Sequence, residues 1–256
     1  MSKKSSQHPR QFINSEIITF TILTYGSHGL GVHDPESDID ALCVGPFFAT
    51  IALKALYVPE NVDVLSLSLL NNIDETSWKS LSGVRANQRI LLLVPNLKNF
   101  QSMLRCLKLW AKRRGVYGRL NGFLGGVHLA ILAAFVCQNQ PDASVIALIS
   151  NFFSTYAMWP WPTPVILQDG MPSNVEDVIE TRLYMPIRLP CTPYEYCDSN
   201  VTKSTFNKIR VEFLRGHAMT RDLLKIKLDF DVWRIFEPFP ISTNYTRFCQ
   251  NPPFSS

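Results

Sequence analysis

The sequence predicts an α+β chain, a short strand-bearing N-terminal part followed by a longer helical part. Three observations predict it. Asp38 and Asp40 sit in a run whose other members, Ile39, Ala41, Leu42, Cys43 and Val44, are apolar, as in a half-buried strand. Between Lys98 and Gly115 apolar residues recur at helical spacing. The stretch from Phe123 to Cys137 is almost wholly apolar, with His128 inside it, and its 15 residues fall short of the ~20 needed to cross a bilayer.

In chain order, residues 1–14 are polar and read as a frayed end. They lack the apolar centre of a signal peptide. Glu16 to Leu23 is rich in Ile, Thr and Phe and reads as a strand leading into a Gly26-Ser27 turn. Ser37 to Val44 is the strand with the two carboxylates, and Gly45-Pro46 ends it. Ala49 to Tyr57 is helix or strand; its periodicity does not decide. Asp63 then stands between apolar neighbours on a further strand.

The helical part opens clearly at Lys98 to Gly115. Phe100, Met103, Leu104, Leu107, Trp110 and Ala111 make one apolar stripe, and Arg105, Lys108 and Lys112 fall at steps of three and four on a second face. Such a row of cations suits a triphosphate, and Gly115 is the stop. Gly122 to Val136 reads as a buried central helix and Val145 to Tyr156 as another. Met158 to Val165 holds three prolines and is not helix. Thr202 is the expected N-cap of an amphipathic helix from Thr205 to Arg221.

Composition sets the outer bounds. At 256 residues and 46% hydrophobic content, the chain can build one large or two small cores. The 25 Lys and Arg face 21 Asp and Glu, but residues 76–141 hold ten basic residues and no acidic one. That concentration points to a polyanion partner. The six cysteines include no Cys-x-x-Cys pair and read as reduced, buried thiols. The five histidines show no metal-binding spacing.

The chemistry is concentrated in Thr24 to Pro46. Side chains alternate along a strand, so Asp38 and Asp40 share one face. Two hard oxygen ligands with open positions suit Mg²⁺ that also holds substrate phosphates, as in two-metal phosphoryl or nucleotidyl transfer. Gly26 lets the main chain approach phosphates, and Ser27 adds a hydroxyl. Alone, Asp-x-Asp is more often a solvated strand edge. Eleven residues after Gly-Ser it is far more specific.

In this order and spacing, Tyr25-Gly26-Ser27, Leu30-Gly31-Val32-His33 and Asp38 through Val44 resemble the nucleotide-binding core of the eukaryotic poly(A) polymerases. Leu107-Lys108-Leu109-Trp110-Ala111-Lys112-Arg113, Tyr117 and Gly122 through Val127 resemble that family's second block, and the Trp-Pro segment and Asn200-Val201-Thr202 resemble later ones. His28 and Gly29 depart from it, standing where the family usually has an aromatic residue and an Arg. The resemblance covers Thr24 to Phe248, with one internal deletion and shortened ends.

The resemblance implies a shortened polymerase beta-like nucleotidyltransferase domain with a mixed sheet at 15–65, a central helical domain at 66–235, and at 236–256 the opening of a truncated C-terminal RNA-binding domain. It implies Mg²⁺ or Mn²⁺ on Asp38 and Asp40, with ATP as substrate. Tyr25, Gly26, Ser27, Lys108, Tyr117, Gly126 and Val127 would bind the nucleotide. An RNA 3′ end would be the acceptor, mRNA 3′-processing factors would be partners, and the chain would be a nuclear monomer. The family also uses a third carboxylate. By segment order, the strand–helix–strand unit bearing it is missing between about Pro46 and Ile51, and Asp63 as its stand-in is the minority reading. A non-catalytic chain that binds nucleotide, RNA or processing partners is the second reading. A glycosyltransferase holding a sugar nucleotide on Asp-x-Asp is a weaker third.

Overall fold

The apolar run around Asp40 pairs, among the described residues, with one antiparallel strand. Strand β1, Thr21–Tyr25, pairs with β2, Asp40–Val44, with Thr21 opposite Val44 and Tyr25 opposite Asp40. The computed structural model describes residues 21–33, 35, 39–44, 65, 75–168, 183–191, 194–197 and 200–221. Asp38, Ala49 to Tyr57 and Asp63 lie outside them. The first strand runs on to Tyr25 rather than ending at Leu23. Among the described residues the pairing of the second starts at Asp40, where Gly26 takes a φ of +61° and turns β1 away from its partner; Ser37 lies outside them. Directly after β1 the chain makes one helical turn, α1, Gly26–Gly29.

Among the described residues five longer helices follow: α2, Glu75–Leu93; α3, Leu97–Arg113; α4, Gly126–Asn139; α5, Val145–Met158; and α6, Lys203–Thr220. Asn96 caps α3 by accepting from the Asn99 amide at 3.0 Å, and Gly115, at a φ of +64°, follows the end of that helix. All six residues of the expected stripe on α3 are buried. The α4 helix begins at Gly126, four residues later than the expected Gly122. Gly118 and Gly122 both take positive φ, and the chain makes a 3-10 turn, Arg119–Asn121, between them. Thr202 caps α6 in a reciprocal pair with Thr205, as the sequence predicts.

The core lies among α3, α4, α5 and α6. Trp110 stacks on Phe213 with ring centroids 5.7 Å apart and meets the edge of Phe153 at 5.0 Å. Tyr156, fully buried on α5, donates its hydroxyl to the Leu132 carbonyl at 2.8 Å, so its one polar atom is satisfied. Burial pushes the Cys137 thiol up to about 12, which keeps it neutral and fits the expected reduced, buried cysteine. Just past the end of α3, Arg114 forms a two-pronged buried ion pair with Glu212 of α6, at 2.8 and 2.9 Å. Among the described residues, no helix is long and apolar enough to cross a membrane.

Candidate nucleotide and metal site

The site grows from the point where β1 stops. Gly26 turns the chain, and the carboxylate of Asp40 lies so close to its Cα that a Cβ there would overlap carboxylate oxygen Oδ2. Strand pairing causes this: Tyr25 stands opposite Asp40, so the residue after Tyr25 meets the Asp40 side chain. Asp40 is exposed, and its oxygens are hard ligands beside a turn with no side chain at its first position. That donor set fits a divalent cation shared with an anionic ligand. Among the described residues, no group of three or more His, Cys, Asp and Glu gathers in the manner of an all-protein metal cage.

The turn is held from two sides. From α2, Asn87 donates its side-chain amide to the Gly26 carbonyl at 3.0 Å, and the Tyr25 ring lies over Gly83, where a Cβ would come 2.9 Å from Tyr25 Cδ2. Tyr25 therefore braces the turn against α2. From α3, Gln101 donates to the Leu30 carbonyl at 3.0 Å, Arg105 to the Gly31 carbonyl, and Lys108 to the Val32 carbonyl at 3.3 Å. Here the structure corrects the expected row of solvent-facing cations. Lys108 is 6% exposed, because the Leu30–Val32 segment lies across it. Arg105 and Lys112 stay at the surface.

His28 and Gly29 also have a local reason. The His28 ring stacks on His33, with centroids 4.8 Å apart and planes 23° from parallel. A Cβ on Gly29 would stand 2.7 Å from the Thr24 carbonyl oxygen and 2.8 Å from Asn87 Nδ2. A side chain at position 29 therefore has no room in this packing.

The remaining expected residues form a second group at the start of α4. Tyr117 bridges to Leu124, and a Cβ on Gly126 would lie 3.5 Å from Tyr117 Oη. Tyr117, Gly126 and Val127 are each half-buried and thus partly open to a ligand. The Gly125 amide donates to His128 Nδ1 at 3.0 Å, which caps α4. The α1 turn packs against both α2 and α4. Sequence reasoning does not single out Asn87, Gln101 and Arg105 as residues that build the turn. Their signal, polar groups at the buried or flanking positions of amphipathic helices, is visible in the sequence but does not say what they grip.

Residues 99–238, more than half of the chain, match the family model of the poly(A) polymerase central domain. Nuclear poly(A) polymerase 3 of Arabidopsis thaliana is 50% identical over 275 positions, taking in 89% of this chain and 53% of the relative. The poly(A) polymerase of Dictyostelium discoideum is 35% identical over 289 positions, taking in 92% of this chain and 35% of the relative. The chain thus spans about half the length, or less, of the curated relatives it matches. Each alignment is also longer than the share of this chain it takes in, leaving about 50 positions with no residue here opposite them. Among solved structures, the Cid1 poly(U) polymerase with MgATP superposes with a TM-score of 0.60 at 15% identity, covering 86% of this chain and 87% of that one. A cytoplasmic RNA terminal U-transferase does so with 0.57 at 15% identity, covering 87% and 86%. These likenesses show the α+β fold, and the sequence match shows the family: the chain belongs to the poly(A) polymerases.

Proposed function

We propose that the chain is a template-independent nucleotidyltransferase that moves AMP from ATP to RNA 3′-hydroxyl ends, releasing pyrophosphate, in nuclear mRNA 3′-end polyadenylation. The observation that carries this reading is the Asp40 carboxylate seated against Gly26 at the end of β1. It joins a cation ligand to an anion-binding turn in one place. Asp38 and Asp40 are the proposed ligands of Mg²⁺ or Mn²⁺, which would neutralise the triphosphate and activate the attacking hydroxyl.

The chain's own residues then divide the work. Gly26 gives the phosphates access to the main chain, and Ser27 supplies a hydroxyl. Lys108, behind the Val32 carbonyl, offsets the triphosphate charge. Tyr117, Gly126 and Val127 receive the nucleoside, with the Tyr117 ring as a stacking surface. Tyr25 acts through the turn. The catalytic part is assigned to 15–65, the central helical part to 66–235 and the opening of an RNA-binding part to 236–256, in a monomer that meets 3′-processing factors.

The second reading is a catalytically impaired family member that binds nucleotide, RNA or processing partners. Primer extension decides between them: purified chain, oligo(A), ATP and Mg²⁺ or Mn²⁺, beside the folded Asp38→Ala/Asp40→Ala variant. The polymerase reading expects extension by the wild type and at least a 100-fold loss in the variant. Extension that survives the double substitution would overturn the site. A folded wild type that binds ATP without extending the primer is the second reading.

A further inference from the structure

We infer that Gln101 and Arg105 are positioning residues for the nucleotide site. They act through the Leu30–Val32 segment, and this inference rests on the nucleotide reading of the turn above.

The basis is a complete account of that segment's polar groups. Its three amides all bond back to α1: Leu30 to the Gly26 carbonyl at 3.1 Å, Gly31 to His28 at 3.0 Å and Val32 to Ser27 at 2.9 Å. Its three carbonyls all accept from α3: Leu30 from Gln101, Gly31 from Arg105 and Val32 from Lys108. Steps of four and three along a helix bring 101, 105 and 108 onto one face, so one helix meets three successive carbonyls. The side chains on either side of Gly31 are anchored as well, Leu30 and Val32 both being buried in the core.

Gly31 makes the approach possible. Its φ is +68°, and a Cβ there would lie 2.6 Å from Gln101 Nε2. Every backbone group of the segment therefore ties α1 to α3, whose adjoining face, about a third of a turn away, is the stripe buried in the core. The turn carrying Ser27 cannot shift without breaking these bonds or moving a core helix. A nucleotide site needs that rigidity, because a donor misplaced by about 1 Å loses much of its effect on a charged ligand.

The alternative is that these bonds add stability only, and the experiment separates the two. Arg105→Met and Gln101→Met keep side-chain length and remove the donors, while Arg105→Lys restores a cation. Each full-length variant is compared with wild type by amide exchange over residues 26–33, by equilibrium binding of a non-hydrolysable ATP analogue, and by thermal unfolding. Positioning predicts exchange at 26–33 faster by about tenfold and analogue binding weaker by about tenfold in each Met variant. The melting temperature stays close to wild type, and Arg105→Lys recovers most of the binding. Unchanged exchange at 26–33 overturns the clamp. Exchange raised equally through α3, α4 and α5 with a lower melting temperature reduces it to general stability and also overturns the inference. If the wild type fails to bind the analogue, the nucleotide reading fails and takes the positioning role with it. The exchange data then still decide whether α3 holds the turn.

Discussion

At the scale of single residues, Gly26 joins backbone conformation to the proposed nucleotide site. A side chain at a φ of +61° is unfavourable by roughly 1–2 kcal/mol, and here its Cβ would also overlap the Asp40 carboxylate. Gly26→Ala should therefore displace Asp40 and weaken binding of an ATP analogue by well over tenfold. The cost in stability should stay near 2 kcal/mol, since α1 contributes no buried side chain. Calorimetric titration beside a denaturant melt measures both numbers, and a variant that binds like wild type would remove Asp40 from the site. This residue is legible in the sequence because a Gly-Ser turn ahead of Asp-x-Asp has few other reasons to exist. The Gly29 packing is not legible there, because it depends on Asn87, 58 positions further along the chain.

At the scale of elements, the helical period did most of the prediction. All six apolar positions named on α3 are buried, and the Thr202 cap is where the sequence puts it. The period gives the direction in which a side chain leaves the helix. It does not say what covers that side chain, which is why the pattern turns Lys108 to solvent and the structure places it beneath a loop. The same limit hid the Arg114–Glu212 pair, formed by two charged residues 98 positions apart. Glu212→Gln removes the carboxylate that the buried Arg114 guanidinium grips through two bonds and should cost about 3–5 kcal/mol. Replacing both with Leu should cost clearly less, because no buried charge then remains unpaired. Urea melts of the two variants test this order. If the single and double variants were equally destabilised, the pair would not be the main bond between α3 and α6.

At the scale of the whole molecule, the core and the proposed nucleotide site sit in different places. The core is made mainly by α3, α4, α5 and α6, with Leu30, Val32 and Ile90 added to it, whereas β1 and β2 pair, among the described residues, as two strands on which Ile22, Asp40 and Ala41 are exposed. Two strands alone are marginal in water, and this sheet's described neighbours are α1 and α2. The family's shape was legible because its second motif block falls in the helical part. The division of stability was not, because sequence motifs mark chemistry rather than buried area. Native-state amide exchange should show this division. The interiors of α3, α4 and α5 should exchange only through global unfolding, with β1 and β2 opening locally at a free energy several kcal/mol lower. Asp38→Ala/Asp40→Ala should then leave the global melt unchanged while removing any cation-dependent protection of the sheet. Gly216→Ala, whose new Cβ would run into the Phe153 ring between α5 and α6, should lower the melt without touching the sheet's local opening. If sheet and helices instead exchanged as one unit, the proposed nucleotide site would be part of the core.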